Sequence, residues 1–208
     1  MLSGMADAHV ATTDDLRSIS VALAAAFWDD PVTSHVLPEG APSRRKRLET
    51  FMRLGSKGAV KHRSLYATSA DGGGPIAAAA VWKPPGHWRI APSEMLPAVP
   101  AMLYALRGRA RVGMQMLSAI EKEHPTEPHW YLEILGTHPD HQGKGLGSTV
   151  MRPVLDRCDA EGVPAYLESS KEQNIPFYER HGFRVTKELR PPGGAPTLWA
   201  MWRDPQVS

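Results

Sequence analysis

The chain reads as a mixed α/β protein, and three observations carry that reading. The second half alternates an apolar run, a helical repeat, an apolar run, a short helix and two further apolar runs. Two apolar runs in the first half flank Asp71-Gly72-Gly73-Gly74-Pro75, a turn by composition. A stretch with glycines at 143, 145 and 147 joins an apolar run to a helical repeat. The expectation is one domain over residues 1–208, with a mixed central sheet of about six to seven strands, flanking helices and a helical insertion near residues 93–120.

The elements follow in order. Residues 8–12 form a short strand. Thr12 and Asp15 have capping-box-like spacing before a helix carrying Leu16, Ile19, Leu23 and Phe27, which Asp29-Asp30-Pro31 ends. A loop runs to Pro42, and Ser43 caps a second helix with Leu48, Phe51, Met52 and Leu54. Arg44-Arg45-Lys46-Arg47 on its first turn reads as a solvated face. Strands over 65–69 and 76–83 lead into an irregular Pro- and Trp-rich segment, 84–92. Two helices, 93–106 and 109–120, are separated by Gly108; Met102, Met114 and Met116 fill core there or form a malleable substrate wall.

The second half is better punctuated. Residues 130–135 form a strand, on which Tyr131, Glu133 and Leu135 share one face by alternation. A helix over 145–160 repeats Leu146, Val150, Val154 and Cys158, with Pro153 predicting a kink or break. After Gly162-Val163-Pro164 comes a strand, 165–169. Asn174, Pro176 and Gly182 bracket a short helix as N-cap, early proline and C-terminal glycine. Strands over 183–189 and 198–202 close the chain.

Composition sets limits. The 208 residues carry a formal charge of +2, too small to argue for a nucleic-acid or membrane partner. A single cysteine, Cys158, fits a reducing compartment. No apolar run approaches the roughly 18 residues of a membrane span, and residues 1–10 lack the charged and apolar regions of a leader. The expectation is a soluble, cytoplasmic protein. His138 and His141 flank Pro139-Asp140, but no further Cys or His completes a metal site, so no metal is expected.

A strand leading through glycines into a helix N-terminus is suited to an anion, because the first-turn N–H groups are unpaired and the dipole favours negative charge. The pattern is not a Walker loop, since Lys144 is followed by Gly145, and it is not a dinucleotide fingerprint, since the third glycine comes one residue early. What remains is Gln142-x-x-Gly145-x-Gly147. It resembles the Gln/Arg-x-x-Gly-x-Gly/Ala signature of the GNAT acetyltransferases. About 30 residues on, Asn174-Ile175-Pro176-Phe177-Tyr178, followed by Gly182-Phe183, resembles the second signature of that family. The segments Glu127-Pro128-His129-Trp130, Pro139 to Ser148, Gly162 to Ala165 and Pro176 to Arg180 look like the puromycin N-acetyltransferase branch. That match is poor over residues 28–125.

The resemblance implies a GNAT fold, with an acetyl-CoA-binding core over 129–203 and acceptor-side elements over 13–125. It implies acetyl-CoA as co-substrate and direct transfer to a primary amine of a small molecule or peptide, a puromycin-like aminoacyl amine among them. Acetyl-CoA would be held by Leu135, Gly136, Thr137, Gln142, Gly143, Lys144, Gly145, Leu146, Gly147, Ser148, Asn174 and Tyr178. The strand would splay at a bulge near Gly136, freeing N–H groups near Leu135 for the thioester carbonyl. Tyr178 matches the general acid, and Glu133 or Glu168 would be the base. Trp28, Asp29, Asp30, His35 and Tyr131 are candidates for the acceptor side. At neutral pH an α-amine of pKa about 7.7–8.0 is neutral in about a tenth of molecules, against well under one in a thousand for a lysine-like amine. An α-amine therefore needs less help from a base. A protein or peptide N-acetyltransferase and a non-catalytic acyl-CoA sensor are the alternatives; a monomer or homodimer is expected.

Overall fold

A computed structural model describes residues 7–89 and 92–206, the side chains of 92–94 excepted. Residues 1–6 of the stretch expected to lack a leader's features, and residues 90 and 91 of the irregular segment, lie outside them. The elements are β1 (His9–Val10), α1 (Leu16–Ala26), α2 (Pro31–Val36), α3 (Arg44–Lys61), β2 (Leu65–Ser69), β3 (Ile76–Lys83), α4 (Pro92–Leu106), α5 (Ala110–Glu123), β4 (Trp130–Thr137), α6 (Leu146–Glu161), β5 (Ala165–Ser169), α7 (Ile175–Glu179), β6 (Arg184–Leu189) and β7 (Leu198–Arg203). Seven strands form one sheet in the order β1-β2-β3-β4-β5-β7-β6. Every neighbouring pair is antiparallel except β4 and β5, which are parallel.

Helices cover both faces. On one, Trp82, Leu132 and Leu167 pack against Leu146, Val150, Met151, Val154 and Cys158 of α6. On the other, Ala79 and Val81 meet Ile19, Leu23, Leu48 and Met52 of α1 and α3. The run Ala77 to Ala80 is buried because β3 is sandwiched between these layers, with Ala78 and Ala80 facing one and Ala79 the other. A smaller cluster, Met116, Tyr166, Leu189, Leu198 and Ala200, lies under α5. Arg203 ties β7 to α6 through a bidentate pair with Asp159, 2.7 and 2.8 Å, and its Nε donates to the carbonyl of His181 at 2.8 Å.

Several sequence expectations are corrected. The loop to Pro42 contains α2: Asp30 accepts from Thr33 N at 2.9 Å and Pro31 opens the helix, an N-cap and N1 pair visible in the sequence. Ser43 does not cap α3 with its side chain; it sits at φ 55°, in the left-handed region. The basic first turn is not all solvated. Arg44 is buried and donates to Leu37 O (2.8 Å) and Trp28 O (2.6 Å), and buried Arg47 donates to Ala105 O (2.9 Å). Only Arg45 and Lys46 face water. α6 runs unbroken through Pro153. Asn174 makes no capping bond with its side chain.

Candidate active site

The turn between β4 and α6 is built by its glycines. Gly143 and Gly145 adopt φ 75° and 78°, a region that costs L-residues strain, and a Cβ on either would meet nothing within 4 Å. Gly147 has an ordinary backbone, and a Cβ there would lie 3.4 Å from the Phe177 ring and 3.7 Å from Thr137 Oγ1. The first intrahelical bond runs from Thr149 N to Gly145 O at 3.1 Å. The described residues offer no acceptor to the N–H groups of Gly143 to Ser148, which leaves an open ring of donors at a helix N-terminus. Lys144 is exposed beside it. The Gln142 side chain donates to Thr137 O at 3.2 Å, bracing the turn. The Nδ1–H of His181 donates to Phe177 O at 2.8 Å, so its Nε2 accepts from the Ser148 hydroxyl at 3.0 Å, locking α6 to α7.

Beside this turn the sheet opens. β4 and β5 pair only at Trp130/Ala165, Tyr131/Tyr166 and Leu132/Leu167. Beyond that, β4 follows β3 and β5 follows β7. The bulge lies at Glu133, not at Gly136: Val81 pairs with Ile134 and Trp82 with Leu132, leaving Glu133 as the extra residue. Gly136 is bare for another reason, since a Cβ there would lie 2.8 Å from Leu23 Cδ2 and 2.9 Å from Ala26 Cβ on α1.

The extra residue inverts the strand's parity. Leu135 joins Leu132 on the α6 face, whereas Tyr131, Ile134 and Gly136 face the opposite helices. Strict alternation predicts a shared face for Tyr131 and Leu135, and the bulge instead puts them on opposite faces. Trp130 N donates to Pro164 O on the β5 side, and His138 N donates to Ala77 O on the β3 side. Ladder alternation back from His138 turns the backbone polar groups of Leu135 and Thr137 towards the gap.

Both candidate carboxylates lie at the mouth of that gap. Glu133 is 3.3 Å from the Lys83 ammonium. Burial raises its pKa, Lys83 opposes the rise, and the charge of Glu168 adds to it. About a quarter of the Glu133 side chain (24 %) still meets solvent, which tempers the effect. Glu168 Oε1 is 3.6 Å from His124 Nδ1, and both side chains are buried. Burial, then the charges of Glu168 and Glu133, push the Tyr131 phenol well above its usual range.

Sequence alone does not single out His124. It stacks on Trp88 (3.9 Å, 25°), meets Tyr131 and Tyr166 edge-on, and its Nε2 is 3.0 Å from His129 Nε2. The sequence shows two histidines around Pro125-Thr126-Glu127-Pro128, with nothing local to join them to a glutamate on another strand.

Tyr178 is 8 % exposed, and its hydroxyl has no hydrogen-bond partner among the described residues. Burial first, then the nearby charge of Asp30, raises its pKa and keeps it protonated. The acidic pair is engaged within the protein. Buried Asp30 caps α2 and also accepts from the Ser170 hydroxyl, and Asp29 pairs with Lys171 at 2.7 Å. Both thereby tie the α1–α2 turn to the end of β5. Trp28 is exposed (42 %) beneath the Arg44 guanidinium, 4.3 Å from its ring centre. The His35 carbonyl accepts from Arg109 at 2.5 Å, and half-buried His35 and exposed Asn174 offer free surface. Met116 is core, whereas Met114 is exposed. Burial pushes the Cys158 thiol up to about 12, which leaves it unreactive. Among the described residues no helix is long and apolar enough to cross a membrane, and no group of three or more His, Cys, Asp or Glu is placed to hold a metal ion.

Known proteins share this architecture. A Corynebacterium glutamicum chain described as histone acetyltransferase HPA2 and related acetyltransferase superposes with a TM-score of 0.72 at 22 % identity, covering 98 % of each chain. The polyamine N-acetyltransferase of Drosophila melanogaster gives 0.66 at 17 %, covering 96 % of this chain and all of that one (100 %). In sequence, an uncharacterized N-acetyltransferase of Schizosaccharomyces pombe is 29 % identical over 181 residues, 81 % of this chain and 70 % of that protein. An Escherichia coli L-amino acid N-acyltransferase is 33 % identical over 70 residues, 32 % of this chain and 39 % of that protein. The acetyltransferase (GNAT) family model matches residues 61–183, from the end of α3 to the start of β6 and across the whole open gap. This chain belongs to the GNAT acetyltransferases and is an acyltransferase.

Proposed function

We propose that the enzyme transfers acetyl from acetyl-CoA to the α-amine of a small aminoacyl compound or peptide, as in puromycin. The observation that carries this reading is the parting of β4 and β5: the residue after the last pair is a glutamate on each strand, Glu133 and Glu168. An ammonium group entering there meets two carboxylates able to take its proton.

The residues present fit the donor. The unpartnered N–H groups of Gly143 to Ser148 suit its pyrophosphate, with Gln142, Lys144 and Leu146 shaping that turn. The gap-facing backbone of Leu135 and Thr137 suits its pantetheine arm and thioester carbonyl, and Gly136 lets α1 close over the back of the strand. Tyr178 approaches from α7 and Asn174 from the residue just before it. Acetyl-CoA supplies an activated acyl group. The chain's own residues remove protons from the amine through Glu133 or Glu168, and Tyr178 offers its protonated phenol to the departing sulfur. Tyr131, Trp28 and His35 border the acceptor side, while Asp29 and Asp30 hold its loop in place.

The α-amine reading draws support from the name of the Escherichia coli relative, an acyltransferase of L-amino acids. The test is thiol release from acetyl-CoA with puromycin, amino-acid amides, short peptides, polyamines and aminoglycosides. Turnover led by the first three classes is expected. Turnover confined to polyamines overturns the α-amine assignment.

A further inference from the structure

We propose that His124, held in one tautomer by His129, relays the acceptor's proton away from Glu168. The inference rests on the acetyl-transfer reading above and extends it to residues outside the site.

The argument starts from a carbonyl. His129 Nδ1 lies 2.6 Å from Glu127 O, and a carbonyl only accepts, so Nδ1 carries the hydrogen. Burial lowers the pKa of His129, so the ring is neutral and its Nε2 is an acceptor. Its neighbour at 3.0 Å, His124 Nε2, must then donate. The remaining nitrogen, His124 Nδ1, faces Glu168 Oε1 at 3.6 Å. Both of these atoms are buried and neither is within hydrogen-bonding geometry of a partner, although the Tyr131 and Tyr166 hydroxyls lie near the Glu168 carboxylate. Two lone pairs facing each other in a dry site repel, and one added proton satisfies both. The pair is built to receive a proton, and Glu168 is the end that faces the gap.

The step balances. Acetylating an ammonium group releases two protons; one goes to the departing sulfur and the other must leave the site. The amine N–H bond breaks as an O–H bond forms on Glu168. Glu168 passes the proton to His124 Nδ1, while the Nε2–H of His124 stays hydrogen-bonded to His129 Nε2; once the amide has left, the proton returns through Glu168 to water entering the gap. Burial disfavours a charged His129, and its Nδ1–H is committed to the Glu127 carbonyl, so the proton stops at His124. Trp88, stacked on His124, shields the relay from bulk water on one side. The groups facing His124 are Glu168, Tyr131, Tyr166 and His129, with the Glu133–Lys83 pair behind Glu168, the Glu123–Lys187 pair beside Tyr166, and Arg89 over Trp88.

His124 is a positioning and relay residue, so its test needs a readout that a structural role would not move. L-phenylalaninamide and phenethylamine are compared as acceptors for wild type and His124→Gln between pH 7 and pH 10. The variant is expected to lose about 10²-fold at pH 7, more on phenethylamine, and to recover to within about threefold at pH 10, where the amine arrives neutral. An equal loss at every pH and on both amines overturns the relay. In an arm that needs no turnover, histidine 15N resonances of the wild-type protein are followed with pH. The expected result is an Nε2–H tautomer on His124 and an Nδ1–H tautomer on His129. Other tautomers overturn it. Wild type inactive on both amines counts against the proposed function, while the resonances still decide the relay.

Discussion

Glu133 and Glu168 stand on either side of the point where β4 and β5 part, each directly after the last paired residue, Leu132 or Leu167. Their partners differ: Glu133 has an ammonium, Lys83, and Glu168 an imidazole, His124. An ammonium fixes a carboxylate's charge, whereas an imidazole can exchange a proton with it. Glu168→Gln is therefore expected to lower kcat/KM about 10²-fold or more at pH 7, and Glu133→Gln about tenfold. Steady-state kinetics on the best acceptor check this; the reverse order makes Glu133 the base.

Tyr178 is expected to remain an acid across the working range. Its folded pKa lies above the unfolded value of about 10, through burial and then Asp30. The stability it contributes is complete below about pH 10 and is lost as the pH rises beyond that. Tyr178→Phe should lower kcat at least tenfold at pH 7 and flatten the fall of stability between pH 10 and pH 12, read by denaturant melts.

Two glycines separate folding from binding. Gly136→Ala places a Cβ 2.8 Å from Leu23 Cδ2, an overpacking that costs about 1–3 kcal/mol. Gly145→Ala meets no atom, and only the backbone strain of φ 78° opposes it, about 1–2 kcal/mol. Thermal melts should fall for both, by about 2–4 °C per kcal/mol in a chain of this size. The KM for acetyl-CoA should rise mainly in Gly145→Ala.

The basic turn of α3 makes a stability prediction. Arg44→Ala strands the carbonyls of Leu37 and Trp28, and Arg47→Ala that of Ala105. Each should cost about 2–4 kcal/mol. Arg45→Ala and Lys46→Ala should stay within about 0.5 kcal/mol. Urea unfolding of the four variants separates the pairs.

Much of the fold was legible because local chemistry and tertiary structure agree. The strands 65–69, 76–83 and 165–169 coincide with β2, β3 and β5, each bounded by turn residues. The glycine turn was legible because αL backbone needs glycine wherever it occurs. Long-range partners were not. Arg44 looks like any first-turn arginine until the α1–α2 turn folds over it. The bulge at Glu133 depends on the register with β3, so strand alternation put Leu135 on the wrong face. His124 and His129 join Glu168 only because β4 and β5 are parallel neighbours, a relation that spacing along the chain does not carry.

The central claim is that acetyl-CoA lies in the gap between β4 and β5, with its pyrophosphate on the N-terminus of α6. The direct test is a CoA titration followed by backbone amide NMR. The account predicts that the largest shifts fall on Leu135, Thr137 and Gly143 to Ser148, with smaller ones at Asn174 and Tyr178. Absence of binding, or shifts centred on α4 and α5 instead, would contradict it.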